Sequence, residues 1–100
     1  MPANPVRNAG YSPVGTHKSI TPNAATGIPV PGGATGILMQ TRTQNVRFTL
    51  DGTTPTSTVG FQLSTSNNDI TYLPLKEGTT IIVISETSGA VFQYQFVKEI

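Results

Sequence analysis

A strand that runs into a long turn constrains the fold of this chain more than any other stretch. In Asn45 to Thr58, N-V-R-F-T-L-D-G-T-T-P-T-S-T, apolar and polar residues alternate. The apolar positions are Val46, Phe48 and Leu50, and the polar ones are Arg47, Thr49 and Asp51. Because successive strand side chains point to opposite faces, this pattern predicts a half-buried strand. Asp51-Gly52 then predicts a turn, and Pro55 prevents the chain from continuing as a central strand.

Further short segments with strand character recur at intervals of about 8–12 residues, and no segment shows a sustained helical period. They cover residues 17–30, 35–43, 61–66, 70–75, 79–85 and 91–97. Pro22 and Pro29 confine the first of these to a sheet edge. The chain therefore predicts an all-β domain over residues 17–100, a small antiparallel β-sandwich or barrel-like jelly roll of about six to seven strands.

The apolar positions of the strongest strands predict the core. The four consecutive β-branched residues 81–84 indicate a strand that is buried on both faces. In residues 91–97 aromatic side chains alternate with glutamines. The predicted core residues are Phe48, Leu50, Ile82, Ile84, Phe92, Tyr94 and Phe96.

The first sixteen residues are predicted to lie outside this domain. Pro2, Pro5 and Pro13 break helices and central strands alike, so the segment is either a disordered tail or an extended arm that becomes ordered against a partner. In the second reading, which we adopt as a hypothesis, the partner-binding residues of the arm are Val6, Arg7, Tyr11 and Val14.

Composition limits the classes of function. The net charge is +1 and charged residues make up 11% of the chain, whereas globular domains average about 25%. This balance argues against a dedicated nucleic-acid binder, which needs a basic patch. Cysteine is absent, so no disulfide supplements a small core, and oligomerisation or docking on a larger surface is the remaining common source of stability. No signal peptide or membrane span is recognisable in the sequence.

No pattern of reactive residues predicts an enzyme. The chain has one histidine and no cysteine, which removes the common metal and nucleophile sets, and we expect His17 to be solvated. Asp51, Gly52 and Pro55 are expected to form a structural turn rather than a calcium loop, because clustered carboxylates are missing. We therefore expect no catalytic residues, no metal and no cofactor.

One motif resembles a known group of proteins. Arg47 to Thr56 reads R-F-T-L-D-G-T-T-P-T, which is similar to the pattern R-[YF]-x-x-D-G-T-x-P-T in small structural proteins of tailed bacteriophages and prophages. The segment Gly27 to Thr35, G-I-P-V-P-G-G-A-T, and the apolar strand after it are also similar to that group. The resemblance covers roughly residues 20–65. Related Y-T-x-D-G-S-x-P-T turns occur in β-sandwich accessory domains of glycoside hydrolases.

The resemblance implies a virion component that assembles in the host cytoplasm. The first hypothesis is a capsid decoration (cement) protein on the head surface. Its partners are then the major capsid protein or other virion proteins and further copies of itself, with a trimer favoured. A neck or tail accessory protein is the second hypothesis. The third is a carbohydrate-binding module. Such modules stack sugars on exposed aromatic rings, whereas this chain has no Trp, and Tyr72, Phe92, Tyr94 and Phe96 lie in patterned strands that are expected to contribute them to the core. Neither nucleic acid nor membrane is an expected partner.

Overall fold

A computed structural model describes residues 10–66 and 70–99, which form eight β-strands in two antiparallel sheets. The strands are β1 (Tyr11–Ile20), β2 (Thr26–Pro29), β3 (Gly36–Arg42), β4 (Val46–Thr49), β5 (Phe61–Leu63), β6 (Thr71–Pro74), β7 (Thr80–Ser85) and β8 (Val91–Glu99). Sheet A has the order β1-β8-β3-β6, and sheet B has the order β2-β7-β4-β5. The prediction of a small β-sandwich is confirmed, with eight strands rather than six or seven.

The additional strand is β1, which begins in the segment that was predicted to be a separate arm. It pairs antiparallel with β8, from Tyr11 opposite Glu99 to Ile20 opposite Phe92. Pro13 is tolerated because β1 is an edge strand, where a missing N–H need not interrupt a ladder. The register shifts between Val14 and Lys18. The predicted domain boundary between residues 16 and 17 therefore falls inside a strand, and the described sandwich begins earlier.

The core lies between the facing sides of the two sheets. Sheet A contributes Ile37, Met39, Phe92 and Phe96, and sheet B contributes Ile28, Val46, Phe48, Leu63, Ile81 and Val83. Of the predicted core residues, Phe48, Phe92 and Phe96 are buried, and Leu50 and Tyr94 are partly buried against this cluster. The aromatic alternation of β8 thus identified the inner face of sheet A.

For β7 the prediction chose the wrong face. Ile81 and Val83 are fully buried, whereas Ile82 and Ile84 are only half-buried. The register explains the difference, because Val83 lies opposite the buried Phe48 and directly paired residues share a face. Ile82 and Ile84 consequently point away from sheet A. The prediction that this strand is buried on both faces is wrong as well, because the face that carries Ile82 and Ile84 is only partly covered.

The described ranges, 10–66 and 70–99, contain no helix of the length and apolar character needed to span a bilayer. Their secondary structure consists of strands, turns and bends.

The two faces of β7 provide a matched test of the fold. Replacing Ile81 by alanine should lower the free energy of unfolding by about 2–5 kcal/mol, because the side chain is fully buried in the core. The same change at Ile82 should cost clearly less, since that side chain keeps part of its contact with water. Urea unfolding of the two variants beside the wild type measures both values. Equal losses would contradict the assignment of the inner face.

Candidate functional site

The candidate site is the motif segment between β4 and β5, which begins with a tight turn. The Asp51 carboxylate accepts a hydrogen bond from the backbone N–H of Thr53, with Oδ1 and N 3.0 Å apart. Gly52 has φ +90°, a backbone conformation that costs free energy for residues with a Cβ but not for glycine. Two hydrogen bonds from Thr53 lower the pKa of Asp51: the larger effect comes from the Thr53 side chain and the smaller one from its backbone N–H. Asp51 is exposed, so it presents a negative charge on the surface at neutral pH.

The rest of the segment is held by bonds within itself. The Thr56 hydroxyl accepts from the backbone N–H groups of Thr58, at 3.2 Å, and Val59, at 3.0 Å. The Thr56 N–H donates in return to the Val59 carbonyl at 3.0 Å. The Thr49 hydroxyl donates to the carbonyl of Thr53. Hydrogen bonds between threonine hydroxyls and the backbone therefore take the place of strand or helix hydrogen bonds and give this loop a defined shape.

The end of the loop is fixed by the arginine of the motif. Arg47 donates from Nη1 to the Gly60 carbonyl at 2.9 Å and from Nε to Glu86 Oε2 at 2.6 Å. Gln62 donates to the same Glu86 oxygen at 2.7 Å. The hydrogen bond from Gln62, followed by the bond and charge of Arg47, lowers the pKa of Glu86. Arg47 thus joins strand β4, the loop and the end of β7 on the outer face of sheet B.

Beside this loop lies an open concave surface, which we call the β4–β5 hollow. Its apolar lining consists of Phe48, Leu50, Val59 and Phe61, and Asp51 is its charged residue; the volume is about 470 Å³. Phe61 is 65% exposed and Val59 is 45% exposed, even though the Phe61 ring lies 5.7 Å from that of the buried Phe48. Clustered exposed apolar side chains of this kind mark interaction sites.

The predicted partner-binding residues divide into two groups. Val6 and Arg7 lie outside the described residues. Tyr11 and Val14 lie in β1, where Val14 packs against the core cluster and the Tyr11 ring lies 4.9 Å from that of Tyr72. Tyr11 is still 41% exposed. These two residues therefore make contacts within their own chain. The prediction places them instead in an arm, residues 1–16, that contacts a partner.

Glutamines on the outer face of β8 hold the irregular part of β1. Gln95 Nε2 donates to the Gly15 carbonyl at 3.2 Å, where the register shifts. Gln93 Oε1 lies 2.8 Å from Nε2 of His17. His17 is exposed and, together with Leu38, Ile70 and the two glutamines, borders a second concave surface of about 270 Å³. The histidine contacts an amide there rather than a carboxylate.

Sequence analysis did not identify Val59 and Phe61 as surface residues, nor Glu86 and Gln62 as partners of Arg47. Phe61 shares a face with Leu63, so its alternation alone predicted burial. The signal that was available is the length of its strand: three residues at a sheet edge provide little cover for an aromatic ring.

Within residues 10–66 and 70–99, no three histidine, cysteine, aspartate or glutamate side chains are grouped so that they could hold a metal ion. The chain matches no family model, no curated protein and no solved structure. The site itself is a concave, mostly apolar surface with one exposed carboxylate, that of Asp51.

Two glycines test how the loop is built. Gly52 has open space around it, so Gly52→Ala meets only the backbone penalty of a positive φ, about 1–2 kcal/mol. At Gly60 a Cβ would lie 3.0 Å from the carbonyl oxygen of Phe48, and φ is +121°. Gly60→Ala should therefore cost more, roughly 2–4 kcal/mol. Thermal unfolding of both variants measures this order, and the reverse order would contradict the described loop. Added calcium chloride should leave the wild type unchanged.

The Glu86 cluster should make stability depend on pH. Because hydrogen bonds lower the pKa of Glu86 in the folded chain, this carboxylate stabilises the fold above its unfolded pKa, about 4.3. The contribution disappears as the pH falls through the lowered folded pKa. Glu86→Gln should therefore show a smaller loss of melting temperature between pH 7 and pH 3 than the wild type. Identical pH profiles would show that the cluster contributes nothing measurable.

Proposed function

We propose that this chain is a non-enzymatic structural protein of a tailed-bacteriophage virion, and specifically a decoration protein that stabilises the head shell. The observation that carries the proposal is the motif segment R-F-T-L-D-G-T-T-P-T, which resembles such proteins. The arginine, the aspartate and three of its threonines bond to the chain itself. These polar groups thus maintain the shape of a surface loop, which suits a protein whose role is to fit against others.

The surface supports the same proposal. The β4–β5 hollow exposes Val59 and Phe61 next to a loop of defined shape, and charged residues are few. A permanent assembly can cover such apolar area, whereas a freely diffusing protein gains little from exposing it. The proposed partners are the major capsid protein and further copies of the chain, with a trimer favoured. The proposed location is the capsid surface, after assembly in the host cytoplasm.

The proposed attachment arm comprises residues 1–9, with Val6 and Arg7 as its contact residues. Residues from Tyr11 onward are not part of it, because β1 belongs to the sandwich. An arm of this kind gains order from its partner, which supplies the apolar burial that nine Pro-rich residues cannot provide for themselves.

A carbohydrate-binding role is less well supported by the aromatic side chains. Phe92 and Phe96 lie in the core, and Tyr94 packs against it. Tyr72 is half-buried, and its ring contacts Tyr11 on the outer face of sheet A. Phe92, Tyr94 and Phe96 are thus engaged in or against the core, whereas a sugar platform needs flat rings that face water.

Quantitative mass spectrometry of purified virions tests the proposal. A decoration protein should be present in hundreds of copies, because the positions on a head shell repeat by symmetry. About a dozen copies or fewer would instead assign the chain to the neck or tail. Absence from virions made from the genome that encodes the chain would overturn both assignments.

Addition of protein to bare particles gives the functional readout. Particles lacking the protein should release DNA at a lower temperature, and purified wild-type protein should restore the higher one. A variant lacking residues 2–9 should restore it only at a higher protein concentration, because the proposed attachment is weakened. Equal restoration by both proteins would contradict the role of the arm.

A further inference from the structure

The β4–β5 hollow has the character of a receptor for a short apolar segment. Its lining includes the exposed Val59 and Phe61, the half-buried Leu50 and the exposed Asp51. Strand β5, at the edge next to it, has only three residues. So short an edge provides little backbone for an added strand, so a ligand here would be held mainly by side chains.

The chain itself contains a segment of matching chemistry. Residues 1–9, M-P-A-N-P-V-R-N-A, lie outside the described part and carry Val6 followed directly by Arg7. Val6 is the β-branched apolar residue of this segment, and Arg7 is its one charged side chain. This pair of residues is complementary to the hollow. Val6 could contact the apolar lining while the neighbouring Arg7 lies beside the carboxylate of Asp51, which has the opposite charge.

The start of β1 bears on which copy supplies this segment. Tyr11 lies on the outer face of sheet A, in contact with Tyr72, whereas the hollow belongs to sheet B. The four residues from Gly10 to Val6 span at most about 14 Å. The two sheets of a sandwich are about 10 Å apart, and a path within one chain must also pass around an edge strand. A neighbouring copy can present Val6 without this detour.

We propose that residues 1–9 of one copy bind the β4–β5 hollow of a second copy, with Val6 against Val59 and Phe61 and Arg7 beside Asp51. This inference rests on the proposed assembly of the chain with itself. The two surfaces involved are different, so the contact closes either by reciprocal exchange of arms between two copies or head-to-tail in a ring, and the favoured trimer corresponds to the ring. In a ring of three copies, the arm of each copy binds the hollow of the next, so that every arm and every hollow is occupied. This arrangement gives the favoured trimer a defined structure.

Cysteine cross-linking tests this directly, because the natural chain contains no cysteine. The full-length double variant Val6→Cys/Val59→Cys is oxidised at a concentration where the wild type is assembled, and is then separated without reductant. The expected product is a covalent trimer. The matched control, Val6→Cys/Thr87→Cys, places the second thiol at an exposed position in the β7–β8 connection. The control should yield roughly tenfold less covalent trimer than the double variant, because only thiols that docking brings together have a high effective concentration.

Other products would overturn the proposal in identifiable ways. A disulfide within single monomers would show that the arm folds back on its own chain. Equal yields from the double variant and its control would show that the hollow is not the receptor. Sedimentation of chains without cysteines provides a second measurement. Phe61→Ser should abolish the trimer at concentrations where the wild type forms it, while Arg7→Glu should weaken association by roughly two- to fivefold, as for an exposed ion pair.

Both experiments use purified protein in solution, so their failure is separable from failure of the proposed function. If the chain is abundant in virions but neither cross-links nor sediments as described, the decoration role stands and only the arm-in-hollow contact is overturned. A Phe61→Ser variant that sediments as the wild type does would overturn the contact in the same way.

Discussion

Antiparallel pairing along β8 is the interaction on which the rest of the structure depends. This strand bonds to β1 on one side and to β3 on the other, and its inner face places Phe92 and Phe96 in the core. Its outer face places Gln93 and Gln95 against the irregular part of β1. One alternating strand therefore supplies both the apolar burial and the polar bonds that hold the N-terminal edge of the sheet. Without β8, β1 would lose its pairing partner and would be separated from the β3–β6 pair.

The sandwich keeps its open edges unsuitable for further pairing. Strand β1 carries Pro13, Lys18 and a register shift, and the edge strands β2 and β6 are four residues long and end at Pro29 and Pro74. Prolines, charged residues, irregularities and short length are the devices that prevent edge-to-edge association of sheets. The sheet edges are therefore less suited to contacts with other chains than the side-chain surfaces are, and the exposed Val59 and Phe61 lie on such a surface.

Much of the fold could be predicted from the sequence, because alternation is a physical consequence of the strand. It identified Phe48, Phe92 and Phe96 as core residues correctly. It failed at residues 81–84, because four consecutive β-branched residues contain no alternation, and only the pairing of Val83 with Phe48 decides which face is inside. It also failed at β1, because a segment with Pro13 and Gly15 has no local preference for a strand, and its partner β8 lies about eighty positions away in the chain.

The candidate site shows the same division between local and long-range information. The turn at Asp51 and Gly52 is encoded locally, since Asp bonds to the backbone two residues later and Gly permits the positive φ. The anchor of the loop is not local: Arg47 reaches Glu86, which is distant in sequence and adjacent only through the pairing of β4 with β7. The exposure of Phe61 depends equally on where the sheet ends. A turn motif can therefore be read from residues alone, but the surface that it displays is a property of the assembled sandwich.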